Sequence, residues 1–234
     1  MRLLQIIHQD DAGPGVFQAD GADVAAWHAD REPPPTLDRI DAALVLGGAI
    51  NVHQAERHPW LGVEVAVVAD LVRRRVPTLG VCLGAQLLAQ AAGGSVRRTT
   101  PPEIGWYEIE LTEAAGADPV MGGLPDRFTS FQWHSYEAVP PDGATILARS
   151  DAALQAYRLA EAPAWAIQFH AEVSSADATH WIEDYRSDPD AIAMGIDPRT
   201  LQAQTDELID PWHDLGRALF GRFLDAARDY SGVT

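Results

Sequence analysis

Through the first half of the chain, short apolar runs alternate with longer stretches whose apolar residues recur every three or four positions, and few folds accept that order. Leu3 to Ile7 is the first expected strand, a second lies near Asp23 to Trp27, and Asp41 to Leu46 is a third that ends at the pair Gly47-Gly48. Helical spacing from about Trp60 to Arg75 stops before Pro77, Thr78 to Val81 is again a short buried strand, and Leu83 to Ala92 reads as a helix closed by Gly93-Gly94. This alternation predicts an α/β fold: an open, mostly parallel sheet flanked by helices.

The second half changes character. Trp106 to Leu111, Phe128 to Trp133, Leu154 to Leu159 and Ala164 to Phe169 read as short strands between turn-rich segments, which predicts antiparallel additions to the sheet. From about Thr205 to Ala227 helical spacing returns, with Pro211 expected to interrupt it. No internal repeat or long linker divides the chain, so a single domain over residues 1–234 is expected, with a C-terminal helical extension over about 188–234.

Composition narrows the function classes. Acidic side chains outnumber basic ones 34 to 17, for a formal net charge of −17, so a phosphate backbone or an anionic membrane is repelled and neither is an expected partner. Every basic residue is Arg and none is Lys, which excludes lysine Schiff-base chemistry. The one cysteine, Cys82, can form no intramolecular disulfide and no cysteine cluster for zinc or iron–sulfur. No stretch approaches the roughly 18 apolar residues of a membrane span, and the apolar run at the N-terminus is too short for a signal peptide. A cytoplasmic location is expected, and no cofactor or metal.

The chemistry concentrates at Gly80-Val81-Cys82-Leu83-Gly84-Ala85-Gln86. A strand ending at Val81 and a helix beginning at Leu83 put Cys82 in the tight turn between them, where small neighbours permit close backbone approach and the helix N-terminus favours a thiolate. A buried structural cysteine is the alternative. A nucleophile needs a base, and the base an orienting group. His170 and Glu172 supply both types just after the strand Ala164 to Phe169. Residues two apart in an extended segment point the same way, so Glu172 can hold one imidazole nitrogen while the other faces the thiol. The glycine pair after the third strand can offer bare backbone N–H groups to a developing oxyanion.

Taken together, Gly80 to Gln86, Glu103-Ile104-Gly105-Trp106, Gln132-Trp133-His134-Ser135-Tyr136 and Gln168-Phe169-His170-Ala171-Glu172 resemble, in order, the class I (triad) glutamine amidotransferase family, in the branch similar to the glutaminase part of guanosine monophosphate synthetase. The resemblance spans nearly the whole chain and implies a flavodoxin-like sheet with added antiparallel strands. It implies that Cys82 attacks the glutamine side-chain amide to form a γ-glutamyl thioester, that His170 moves the proton, and that Glu172 orients His170. It further implies an oxyanion hole from the N–H groups of Gly48 and Leu83, and substrate contacts from Gln86, His134, Ser135 and Tyr136. The chain departs from the family at Ala171 and Ala49, where relatives commonly carry proline; both loops are expected to be looser.

No synthetase segment is legible after the motifs, so ammonia is expected to pass to a separate synthetase or other acceptor protein, or to be released. A γ-glutamyl peptidase acting on another γ-glutamyl substrate is the nearest alternative, a non-catalytic binding or regulatory module of the same fold is a second, and a chaperone or redox sensor built on Cys82 is a third. A metal site at His53, His58 and Glu56 is set aside for want of ligand spacing, and His134 is set aside as the base. Trp106 and Trp133 are candidate pocket walls, while Asp188-Pro189-Asp190 and Asp206-Glu207 are read as a solvated acidic face.

Overall fold

The computed structural model describes residues 1–232 and builds one nine-stranded sheet on the expected alternation. Its strands are β1 (Arg2–Ile7), β2 (Asp23–His28), β3 (Ala42–Val45), β4 (Thr78–Val81), β5 (Ser95–Leu111), β6 (Arg127–Val139), β7 (Thr145–Arg149), β8 (Leu154–Arg158) and β9 (Ala164–Ile167). They lie in the order β2-β1-β3-β4-β9-β8-β7-β5-β6. The pairs from β2 to β9 are parallel, and those from β9 to β6 are antiparallel. β3, β4 and β9 are buried at every residue, which suits parallel strands covered on both faces.

Alternate side chains feed two cores. Leu3, Leu44, Leu79, Trp165 and Ile167 face one, where α5 (Pro198–Ser231) contributes Trp212, Leu219, Phe220 and Phe223. Leu4, Ala43, Val45 and Ala166 face the other, where α1 (Trp60–Arg73) and α2 (Leu83–Ala91) contribute Leu61, Val68, Leu71, Leu87 and Leu88. Two further helices, α3 (Ser175–Glu183) and the short α4 (Pro189–Ala193), follow β9. Among the described residues no helix is long and apolar enough to cross a membrane.

Several elements differ from the sequence reading. α1 stops at Arg73, ahead of Pro77, because Arg75 turns into the left-handed region at φ 59° and Val76 N–H reaches back to Leu71 O, closing the end as a Schellman turn. β5 and β6 are far longer than the expected Trp106–Leu111 and Phe128–Trp133; their ladder resumes beyond an irregularity between Arg98 and Glu103, where Pro101 and Pro102 cannot donate. His134, Ser135 and Tyr136 therefore sit in a strand and not in a loop. β7 and α3 carried no expectation, while α4 and α5 fall within the expected helical extension over about 188–234.

Pro211 does not interrupt α5, which runs as one 34-residue helix from the Asp197 cap to Gly232. Proline removes one donor, but Pro211 lies on the exposed side, and the buried stripe Leu201, Ile209, Trp212, Leu219 and Phe223 continues through it.

Candidate active site

Four loops leave the C-terminal edge of the parallel strands side by side: residues after β1, β3, β4 and β9. This is the edge at which open α/β sheets collect their sites. Cys82 occupies the turn after β4 with φ 51° and ψ −106°, a conformation L-residues rarely adopt, held by Cys82 N–H donating to Ile167 O at 2.8 Å and Gly84 N–H to Leu46 O at 3.1 Å. The glycines make it possible. A Cβ on Gly80 would stand 2.6 Å from Gly84 O, and one on Gly84 would overlap the Val45 carbonyl.

Parallel pairing of Val81 with Ile167 brings the chain past β9 alongside this turn, so His170 meets Cys82 across adjacent strands. His170 and Cys82 line the same cavity, and the imidazole Nδ1 donates to Glu172 Oε1 at 2.7 Å. All three residues are buried. Burial opposes protonation of His170, yet the nearby charges of Glu172 and Cys82 and the hydrogen bond to Glu172 push its pKa up to about 10. The ring edge packs against Trp181 of α3, with centroids 4.8 Å apart.

The segment that lacks the family's proline is clamped by its neighbours. Trp212 Nε1 donates to His170 O at 2.9 Å, Val16 N–H donates to Glu172 O at 2.7 Å, and Gly216 of α5 lets the helix backbone close on Ala171 O, where a Cβ would collide. The other departure is tethered too: Ala49 N–H donates to Gln9 Oε1 at 2.6 Å, a bond proline could not make.

Gly48 and Leu83 line the same cavity as Cys82 and His170, about 640 Å³ in volume. Neither backbone N–H has a protein acceptor among the described residues. Behind Gly47, His8 at the end of β1 places Nδ1 2.9 Å from Gly47 O and Nε2 2.6 Å from Glu64 Oε1. The sequence reading missed this pair; the available signal was a histidine directly after a buried strand.

Gln86, Ser135 and Tyr136 line the cavity, but Gln86 Nε2 is committed to Tyr136 O at 3.1 Å and, more weakly, Gln168 Oε1 at 3.4 Å. His134 also reaches the cavity, with Nδ1 3.1 Å from Tyr136 O and Nε2 3.1 Å from Glu103 Oε2. His53 packs toward Tyr136 and His58 toward Trp60, so the two histidines set aside as a metal pair belong to different neighbours. Trp133 lines the cavity, whereas Trp106 packs into the α5 core against Trp212.

Asp188 and Asp190 correct the solvated-face reading. Trp133 Nε1 donates to Asp188 Oδ2 at 2.9 Å, Arg98 and the Ser135 hydroxyl bind Asp190, and both acids line the cavity. Hydrogen bonds from Arg98 and Ser135 hold the Asp190 carboxyl below its usual range. Asp188 further caps α4 through Asp190 N–H at 2.8 Å.

Comparison with known proteins gives a consistent set. The family model described as glutamine amidotransferase class-I matches residues 17–185. The chain is 29% identical over 160 residues to a glutamine amidotransferase-like protein of Salmonella typhimurium, across 64% of this chain and 67% of that protein. It is 33% identical over 144 residues to a glutamine-hydrolysing GMP synthase subunit from Saccharolobus solfataricus, across 61% of this chain and 72% of the relative. A solved glutamine amidotransferase from Thermotoga maritima superposes with a TM-score of 0.83 at 27% identity, covering 96% of this chain and 98% of its own.

Proposed function

The chain belongs to the class I glutamine amidotransferase family, and from that premise we propose that it hydrolyses the glutamine side-chain amide through a triad of Cys82, His170 and Glu172. One observation carries the reading: a buried imidazole that shares a cavity wall with a cysteine in a strained strand-to-helix turn and is hydrogen-bonded at 2.7 Å to a carboxylate.

Cys82 Sγ adds to the amide carbon while His170 holds the proton taken from the thiol. The C–N bond then breaks, that proton leaves on ammonia, and a γ-glutamyl thioester remains on Cys82. Water, deprotonated by His170, cleaves the thioester to glutamate and restores the thiol. Glu172 keeps Nδ1–H engaged and stabilises the imidazolium, and the N–H groups of Gly48 and Leu83 receive the oxyanion in both halves. Ser135 and Tyr136 meet the amino-acid head group; Gln86 and His134, whose polar atoms bond Tyr136 O, shape that wall from behind.

The relative's designation as one subunit of a GMP synthase supports delivery of ammonia to a separate synthetase protein. A second reading, γ-glutamyl peptides as substrates, is favoured by a cavity of about 640 Å³, which leaves room beyond one amino acid. The test is steady-state release of glutamate and ammonia from glutamine beside a panel of γ-glutamyl peptides, with Cys82→Ala as the blank. Turnover of glutamine that the variant abolishes is expected, a higher kcat/KM for the peptides selects the second reading, and turnover that survives Cys82→Ala overturns the mechanism.

A further inference from the structure

The proposed triad leaves a second buried histidine–carboxylate pair unused. His8 and Glu64 are both buried, on β1's end and on α1, and the imidazole stacks on Trp60 with centroids 5.9 Å apart. Nothing about packing requires an ionisable pair here: a well-packed apolar substitute is commonly as stable or more so. Among the described residues the pair's one outward hydrogen bond is Nδ1 to Gly47 O at 2.9 Å. Burial opposes protonation of His8, but the charge and hydrogen bond of Glu64 and the Gly47 carbonyl hold its pKa above the ordinary imidazole value. Both ring nitrogens face acceptors, Nε2 the Glu64 carboxylate and Nδ1 the Gly47 carbonyl.

In a planar trans peptide the C=O of Gly47 and the N–H of Gly48 point in opposite directions. Fixing Gly47 O on His8 therefore turns Gly48 N–H away from His8, and this N–H, without a protein acceptor among the described residues, belongs to a residue lining the cavity with Cys82. The glycine pair has no side chain to set this plane. A Cβ on Gly47 would stand 3.0 Å from His170 Cε1, and one on Gly48 3.1 Å from His8 Cβ, so position and orientation are both left to backbone contacts.

We propose that His8 and Glu64 are positioning residues that set the Gly47–Gly48 peptide plane and polarise it, so that Gly48 N–H is presented to the oxyanion. The inference rests on the proposed cysteine mechanism and its oxyanion hole. A charged donor on the carbonyl strengthens the N–H of the same peptide group.

The test replaces the pair by apolar residues of similar size, His8→Phe with Glu64→Leu, which retains stacking on Trp60 and leaves no lone buried charge. Removing an oxyanion donor outright costs about 10²–10³ in kcat; misorienting one is expected to cost about 10- to 100-fold, with KM changed less than about threefold. Alkylation of Cys82 by iodoacetamide, which develops no oxyanion, is expected to keep its rate within about twofold. His8→Asn, whose amide can donate to Gly47 O from near the Nδ1 position, should recover about tenfold relative to the double variant. Wild-type kcat in the double variant, a loss carried by KM, or alkylation falling in parallel with kcat overturns the proposal. If the double variant does not fold, Glu64→Gln, near-isosteric and neutral, decides the matter by the same kcat and alkylation criteria. Failure of the underlying mechanism is separate: the unmodified protein would then show no Cys82-dependent turnover.

Discussion

Gly80→Ala tests whether the reactive turn is held by backbone contact. The added Cβ would meet Gly84 O at 2.6 Å, Gly84 C at 2.7 Å and Ala85 N at 2.9 Å, all backbone atoms of α2's first turn and none able to rotate aside. A carbon–oxygen contact ordinarily opens to about 3.3 Å, so α2 must retreat from β4 by about 0.7 Å, carrying Cys82 with it. Overpacking of this kind costs about 1–3 kcal/mol, offset by about 0.4–1 kcal/mol from restricting the unfolded chain. The net, about 1–2 kcal/mol, corresponds to a Tm lowered by about 3–6 °C in a chain of this size. Activity should suffer more: misplacement approaching 1 Å at a reacting group costs up to about 10²-fold, so kcat for glutamine should fall about 10- to 100-fold in a protein that still melts cooperatively. Thermal melting followed by circular dichroism, beside glutamate release, reads both numbers. A kcat within threefold of wild type would refute the reasoning, because the turn would then tolerate displacement that the geometry forbids.

Other expectations follow from the same site. Glu172→Gln should lower kcat less than His170→Ala, since the base survives with its orientation disturbed; equal losses in glutamate release would mean that the carboxylate does more than orient. The His170 pKa of about 10 lies above its unfolded value near 6.5, so the native state binds the extra proton between them. That contribution to stability is complete below about pH 6.5 and lost as pH rises through about 10. Tm should therefore fall more steeply over this window in the wild type than in His170→Ala, and identical slopes would remove His170 as the cause.

Where packing was local, the sequence spoke clearly. The short buried runs of β3, β4 and β9 and the glycines flanking Cys82 state their structure through sterics alone, and the triad candidates stand at strand ends that the same runs define. β5 was half invisible because Arg97 to Pro102 have neither alternation nor apolar content; that stretch is strand because β6 pairs with it. Pro211 misled for the opposite reason, a local rule outweighed by a long buried stripe. His8 and Glu64 lie 56 residues apart with β2 and β3 between them, and their meeting at 2.6 Å depends on where α1 packs, a tertiary fact with no periodic trace. Asp188 and Asp190 look like surface charges until β6 supplies Trp133 and Ser135 as partners.

The strand order carries a consequence for how the protein comes into being. β9, the last described strand in the chain, lies in the interior of the sheet, between β4 and β8. Until it inserts, β4 presents an unpaired edge, and the two halves of the sheet have no common member. Such late, non-local closure makes for slow folding. During synthesis Cys82, the proposed nucleophile, and the Gly47-Gly48 loop emerge long before His170, the proposed base, and the nascent chain carries the cysteine without that imidazole beside it. The proposed triad thus comes together only once β9 has inserted, and Trp181 of α3 and Trp212 of α5 must still close on His170.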